Sequence, residues 1–185
     1  NGCPIETFRI PASVKEISMS AIKGVKNVIL AHDSEYLELS DGILRYKDGP
    51  FIWCRPDLLS SGSHVEIPAG FTEIPDGLYE NDHEIVSVVI PEGVTKIGEY
   101  AFKNCENLKY VFLPSTLETI EYQAFMNTAL EEITLPAKLS SMSDPFERCH
   151  KIRTINVEEG NETYYVKDNI LYSEFHAIRG TLSVP

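Results

Sequence analysis

An Ile/Leu-Pro pair recurs at Ile67-Pro68, Ile90-Pro91, Leu113-Pro114 and Leu135-Pro136, with prolines 23, 23 and 22 residues apart. This period restricts the fold more than any other property of the chain. A copy of this length has an apolar face that it cannot bury alone, so neighbouring copies must stack. The same apolar columns surround each proline. One rung reads Val88, Ile90, Val94, Ile97, Ala101, Phe102, Cys105, Leu108, and the next Val111, Leu113, Leu117, Ile120, Ala124, Phe125, Thr128, Leu130. A third reads Ile133, Leu135, Leu139, Met142, Pro145, Phe146, Cys149, Ile152, and a weaker one precedes them with Val65, Ile67, Phe71, Ile74, Leu78, Tyr79, Asp82, Ile85. These columns predict a quasi-one-dimensional solenoid.

Within a rung, the alternation Val111, Phe112, Leu113 predicts a short strand with Val111 and Leu113 turned inward. Pro114 ends it by withdrawing a ladder donor. A second extended piece is expected around Ile120, and Ala124-Phe125 reads as one helical or 3₁₀ turn that sets an aromatic ring into the core. A second motif interrupts the rungs twice. Asp41-Gly42-Ile43-Leu44-Arg45-Tyr46 resembles Asp168-Asn169-Ile170-Leu171-Tyr172, each 13 residues after a matching core position, Val28 and Ile155. Asp-Gly and Asp-Asn supply the positive φ angles of tight turns. Apolar strands follow, ending at Cys54-Arg55-Pro56 and Ser183-Val184-Pro185, with Lys47-Asp48-Gly49-Pro50 as a hairpin tip, so both stretches read as β-hairpin excursions.

The expected organisation is one elongated domain over 1–185. Residues 1–30 form a partial N-terminal rung in which Phe8, Ile10, Pro11, Val14 and Ile17 fit the columns, whereas Ser18 to Val28 are too few for a full copy. Residues 31–56 form a hairpin excursion and 57–64 a linker. Four rungs occupy 65–154, and 155–185 supply a C-terminal rung and hairpin.

Composition removes several functional classes. Sixteen basic residues stand against 28 acidic ones, a net charge of −12. A chain this acidic repels phosphate backbones and anionic headgroups, which argues against nucleic-acid or polybasic membrane binding. No apolar run is long enough for a transmembrane helix, so membrane insertion is not expected. The first residues, Asn1 to Glu6, carry no apolar signal core.

The stretch "IPEGVTKIGEYAFKNCENLKYVFLPSTLETIEYQAF", with its "DGILRY" and "DNILYS" elements, resembles the BspA-type leucine-rich repeat. The resemblance covers 65–185 well and 8–56 in part. It implies a leucine-rich-repeat-like, right-handed, β-rich solenoid with one short helical turn per rung and two β-hairpin excursions. It also implies a secreted or cell-surface protein of mucosa-dwelling bacteria, or of some protozoa, acting in adhesion or host-protein binding. Thr128 and Asp82 depart from the Cys column and Pro145 from the Ala column; Asp82 therefore needs a partner or an exposed position.

No residue set points to catalysis, a metal or a cofactor. Cys105 and Cys149 share a column two rungs apart, so their Cα atoms should lie about 10 Å from each other, beyond disulfide reach, and both read as packed thiols. Cys3 and Cys54 lie outside the columns, and the sequence leaves a bond between them open. No Cys-x-x-Cys spacing occurs, and His32, His64, His83, His150 and His176 sit beside predicted turns without ligand spacing. The acidic stretches Glu80–Glu84 and Glu158–Glu162 lack the alternation of a calcium loop and read as solvated. No nucleophile elbow appears, so an enzyme is not expected.

The outward strand positions are the candidate surface. Tyr110 and Phe112 should face solvent between inward Leu108, Val111 and Leu113. The rung above offers Ser87 and Val89; those below offer Glu132 with Thr134, then Thr154 with Asn156. Val89, Tyr110, Phe112, Glu132 and Thr134 are therefore the expected binding residues, because aromatic surface on a polar ladder is desolvated at little entropic cost. The competing reading packs the aromatics under a loop or a partner chain. The expected function is a non-catalytic module that binds a host or extracellular protein, or a glycan. The alternative is a structural spacer within a larger surface protein, which the pattern's open ends would suit.

Overall fold

Each rung of the repeat opens on a three- or four-residue strand whose middle side chain is buried, and these strands lie side by side. The computed structural model describes residues 6–17, 22, 25–40, 42–47, 63–168 and 170–173, and the backbone of 51–54. The chain divides into two compact units, Asn1–Ser60 and Ser61–Pro185. Of the expected linker, 57–62 lie outside the described residues, as do Arg55-Pro56, Asp48 to Pro50 and the expected strand ending at Ser183-Val184-Pro185.

In the first unit, β1 (Thr7–Ile10) and β2 (Asn27–Leu30) pair in parallel, with Thr7 opposite Asn27. This copy is shorter than the later rungs, and the chain still returns beside its own start. Strands β3 (Leu37–Ser40), β4 (Ile43–Tyr46) and β5 (Phe51–Cys54) form an antiparallel sheet in that order. Gly42 takes φ 79° in the β3–β4 turn. Ile10, Ile22, Val25, Val28, Leu37 and Leu44 make the buried cluster. The Tyr46 hydroxyl accepts a bond from Ile17 N–H at 3.0 Å and donates to Ile17 O at 3.3 Å.

In the second unit each rung carries a first and a second strand. The first strands are β6 (His64–Glu66), β8 (Ser87–Val89), β10 (Tyr110–Phe112), β12 (Glu132–Leu135) and β14 (Thr154–Val157). The second are β7 (Glu73–Ile74), β9 (Lys96–Ile97), β11 (Thr119–Ile120) and β13 (Ser141–Met142). All inter-rung pairing is parallel and in register: Val65 faces Val88, Val88 faces Val111, and Ile74, Ile97, Ile120 and Met142 follow one another. This is a β-solenoid. Hairpin β15 (Tyr164–Lys167)–β16 (Ile170–Ser173) follows, antiparallel, with Asp168 at φ 49° in its turn.

The helical turn expected in each rung is not there. Among the described residues of this unit, the Ala-Phe segments are non-helical turns. The reason lies in the backbone at their flanks. Left-handed residues bracket each segment: Gly77 and Asn81, Tyr100 and Asn104, Gln123 and Asn127, Asp144 and Arg148. A positive φ breaks an α-helix. The donors that a helix would use internally reach the next rung instead: Tyr79 N–H to Ala101 O and Phe102 N–H to Ala124 O at 2.8 Å, and Phe125 N–H to Pro145 O at 2.9 Å.

The aromatic ring does fill the core as expected. Tyr79, Phe102, Phe125 and Phe146 stack in a column with centroid separations of 5.4, 5.2 and 5.8 Å. Beside it, Asn104 Nδ2 donates to Asn81 Oδ1 at 2.8 Å and Asn127 Nδ2 to Asn104 Oδ1 at 3.1 Å. Asparagine suits this position because it tolerates the left-handed region and pairs with its own kind across the rungs.

Candidate binding cleft

Tyr110 and Phe112 point outward because Val111, between them, is buried. Phe112 is 60% exposed, Tyr110 46% and Val89 41%. Val89 stands directly opposite Phe112, and Ser87 opposite Tyr110. On β12, Glu132 and Thr134 are also exposed. All five expected side chains are thus at the surface, but they do not share one continuous ladder.

The first strands form two sheets, β6-β8-β10 and β12-β14, with no ladder between β10 and β12. The second strands of the same two rungs do pair, Thr119 opposite Ser141 and Ile120 opposite Met142. The opening is therefore local to one side of one boundary. It coincides with a loop one residue short. Cys105 and Leu108 are separated by Glu106-Asn107, and Cys149 and Ile152 by His150-Lys151, but only Ala129 separates Thr128 from Leu130. In the full-length loops, two successive amides reach one carbonyl: Lys109 and Tyr110 N–H both bond Val86 O, and Arg153 and Thr154 N–H both bond Glu131 O. At the short loop only Glu131 N–H reaches Lys109 O, at 3.4 Å. The shortened entry thus makes one of the two bonds that lead into the paired ladders.

A cleft of about 340 Å³ lies there, lined by Tyr110, Val111, Phe112, Leu113, Glu132, Ile133, Thr134 and Glu158. It brings together four of the five expected residues. Val89 lies outside it, on β8. Leu113, expected inward, is only half-buried. Glu158 was not anticipated, because it belongs to an acidic stretch that reads as solvated loop. Its signal is the column arithmetic: it follows the strand end Val157, which pairs with Leu135. Glu158 Oε2 accepts from Ala137 N–H at 3.0 Å, and Glu132 Oε1 accepts from Asn156 Nδ2 at 2.8 Å. Neutral donors thus hold both carboxylates in place. The neighbouring Glu131 is instead paired with Lys109 at 3.6 Å.

Cys105, Cys149 and the acidic loops make contacts within the scaffold. Cys105 and Cys149 are free thiols. Cys105 Sγ donates to Tyr79 O at 3.1 Å and Cys149 Sγ to Phe125 O at 2.9 Å, so each ties its rung to the aromatic of the rung before. Burial pushes the Cys105 thiol up to about 12, and raises that of Cys149. Cys149 is half-buried rather than fully packed; Cys3 and the side chain of Cys54 lie outside the described residues. Asp82 finds a local partner, Oδ1 accepting from Glu84 N–H at 2.9 Å. Asn161 is the clasp of the other acidic loop, donating to Pro136 O and Leu139 O and accepting from Thr163 and Tyr164 N–H. Among the described residues, no three His, Cys, Asp or Glu side chains are placed to hold a metal ion, and no helix is long and apolar enough to cross a membrane.

Comparison with known proteins agrees with this architecture. A family model described as BspA type leucine rich repeat region matches residues 63–176 in six copies. No curated protein matches the chain. The pneumococcal vaccine antigen PcpA has a similar fold, with 23% identity and a TM-score of 0.62 over 85% of this chain and 40% of its own. A leucine rich cell surface protein from Faecalibacterium prausnitzii is similar at 27% identity and a TM-score of 0.56, over 91% of this chain and 42% of its own. A leucine-rich repeat protein from Bacteroides capillosus, at 27% identity and a TM-score of 0.56, aligns with 67% of this chain over 99% of its own. The chain spans about two fifths of the first two structures.

Proposed function

The chain belongs to the BspA-type leucine-rich repeat family, and on that premise we propose that it is a non-catalytic recognition module of a secreted or cell-surface bacterial protein. Its binding face is the cleft between β10 and β12, and its partner is an extracellular host protein. The observation that carries this reading is the coincidence of two independent features at one place: the only boundary between first strands of the second unit's described rungs that lacks a ladder, and the aromatic pair Tyr110 and Phe112. Rigid aromatics beside a recess are the usual anchors of protein recognition. The surface assignment draws support from the F. prausnitzii neighbour, which is described as a cell surface protein.

The test is a binding screen against matrix proteins and mucosal glycans, with the native chain beside a Tyr110→Ala/Phe112→Ala variant. The expected result is saturable binding to a protein, lost in the folded variant. Binding that survives the variant moves the site elsewhere. Capture of a glycan alone changes the class of partner, and no binding across the panel favours a spacer.

A further inference from the structure

We propose that the cleft between β10 and β12 is a receptor for a guanidinium group, presented by an exposed arginine of the partner protein. The inference rests on the recognition reading above and adds the chemistry of what is recognised. Phe112 and Tyr110 offer exposed ring surface at the cleft, over which a cation is drawn by the ring quadrupole. Glu132 and Glu158 line the same recess, and among the described residues no lysine or arginine does. Their hydrogen bonds are to neutral donors, and among the described residues neither is in an ion pair, whereas adjacent Glu131 already has Lys109.

Other occupants fit less well. An aliphatic side chain would cover two carboxylates without compensating them, a costly burial. An anion meets like charge in the recess and a chain of net charge −12,. A lysine ammonium satisfies the charge but is compact and strongly hydrated. A guanidinium is planar, stacks on aromatic rings, is more weakly hydrated and presents several N–H donors in a fork that suits carboxylates. The Thr134 side chain, also lining the recess, offers one more acceptor.

The experiment is an NMR titration of the full chain with N-acetylarginine amide. The citrulline and lysine amides serve as a neutral analogue of the same shape and as the rival cation. Ring resonances of Phe112 and Tyr110 should shift saturably with the arginine compound, weaken as salt is raised, and respond about tenfold less to citrulline. A Glu132→Gln/Glu158→Gln variant keeps both neutral hydrogen bonds, so its melting temperature should stay unchanged while arginine affinity falls about tenfold. Equal response to citrulline, a stronger response to lysine, indifference to the glutamine variant, or no shift at all each overturn the guanidinium assignment. The two readings fail separately. A matrix protein that binds through Tyr110 and Phe112 but ignores free arginine and the glutamine variant removes the guanidinium and leaves the recognition module. Partner binding untouched by Tyr110→Ala/Phe112→Ala removes the cleft as the recognition face.

Discussion

The boundaries on either side of the rung that begins at β10 are built from equivalent columns and end up different. Toward β8, Tyr110, Val111 and Phe112 each face a partner and the ladder is complete. Toward β12, the first strands part while the second strands, β11 and β13, stay paired. The aromatic stack runs through both boundaries, 5.2 Å from Phe102 to Phe125 and 5.8 Å from Phe125 to Phe146. A repeat array can therefore open one ladder without losing its continuity, provided that the second ladder and the core column hold. The opening coincides with a loop one residue short, and it creates a recess beside first strands that are otherwise paired among the described rungs of the second unit.

The largest effect expected is from removing what both boundaries share. Phe125→Ala should destabilise the chain by about 3–5 kcal/mol in denaturant unfolding, since a fully buried ring is lost between two stacked neighbours,. A loss below about 1 kcal/mol would show that the column does not bind the rungs together.

Raising the pH should weaken the array. The Cys105 thiol stands at about 12 in the folded chain against an ordinary value of 9.0, because burial disfavours the thiolate. Below pH 9 folded and unfolded chains both keep the proton and the group is silent. Between pH 9 and 12 the unfolded chain releases it while the folded chain does not, so stability falls as pH rises, by at most about 1.4 kcal/mol per unit. Unfolding of the native chain and of Cys105→Ala at about pH 8 and about pH 10 isolates this slope. A slope undiminished in the variant would assign it to other groups, such as Cys149, whose thiol burial also raises.

Restoring the missing residue should make the two boundaries alike. Replacing Ala129 with the two residues found at Glu106-Asn107 should let β12 pair with β10. Amide exchange at Leu113 and Thr134 should then slow, corresponding to about 1–2 kcal/mol for two added backbone bonds, and partner binding should weaken as the recess fills. Unchanged exchange at these amides would place the cause of the opening elsewhere than the loop. The smallest effect on stability belongs to the cleft's own aromatics. Tyr110→Ala/Phe112→Ala should alter unfolding by no more than about 0.5 kcal/mol per residue, because exposed side chains contribute little packing. A larger loss would mean that these rings support the scaffold.

Much of this molecule was legible in its residues. The columns led to the parallel register, because Val65, Val88 and Val111 recur at the period of the rung and must be buried together. Asp41-Gly42 and Asp168-Asn169 announced the hairpins, whose described turn residues Gly42 and Asp168 carry positive φ. The alternation around Val111 placed Tyr110 and Phe112 outside. The Ala-Phe turn was misread for a reason that is also physical. Locally it looks like a helical turn, but the amides of Phe102 and Phe125 are satisfied by carbonyls one rung away, and that choice exists only once the rungs are stacked.

The sequence alone thus determined the period, the inward and outward faces and the turn positions, since these follow from burial patterns and backbone preferences within about one rung. Tertiary structure decided which ladders close. The missing residue between Thr128 and Leu130 is plain in the chain, but the opening that coincides with it lies between β10 and β12, and Glu158 joins the recess from the rung beyond. Whether two strands pair depends on the relative position of separate rungs, which no local pattern records and only their packing sets.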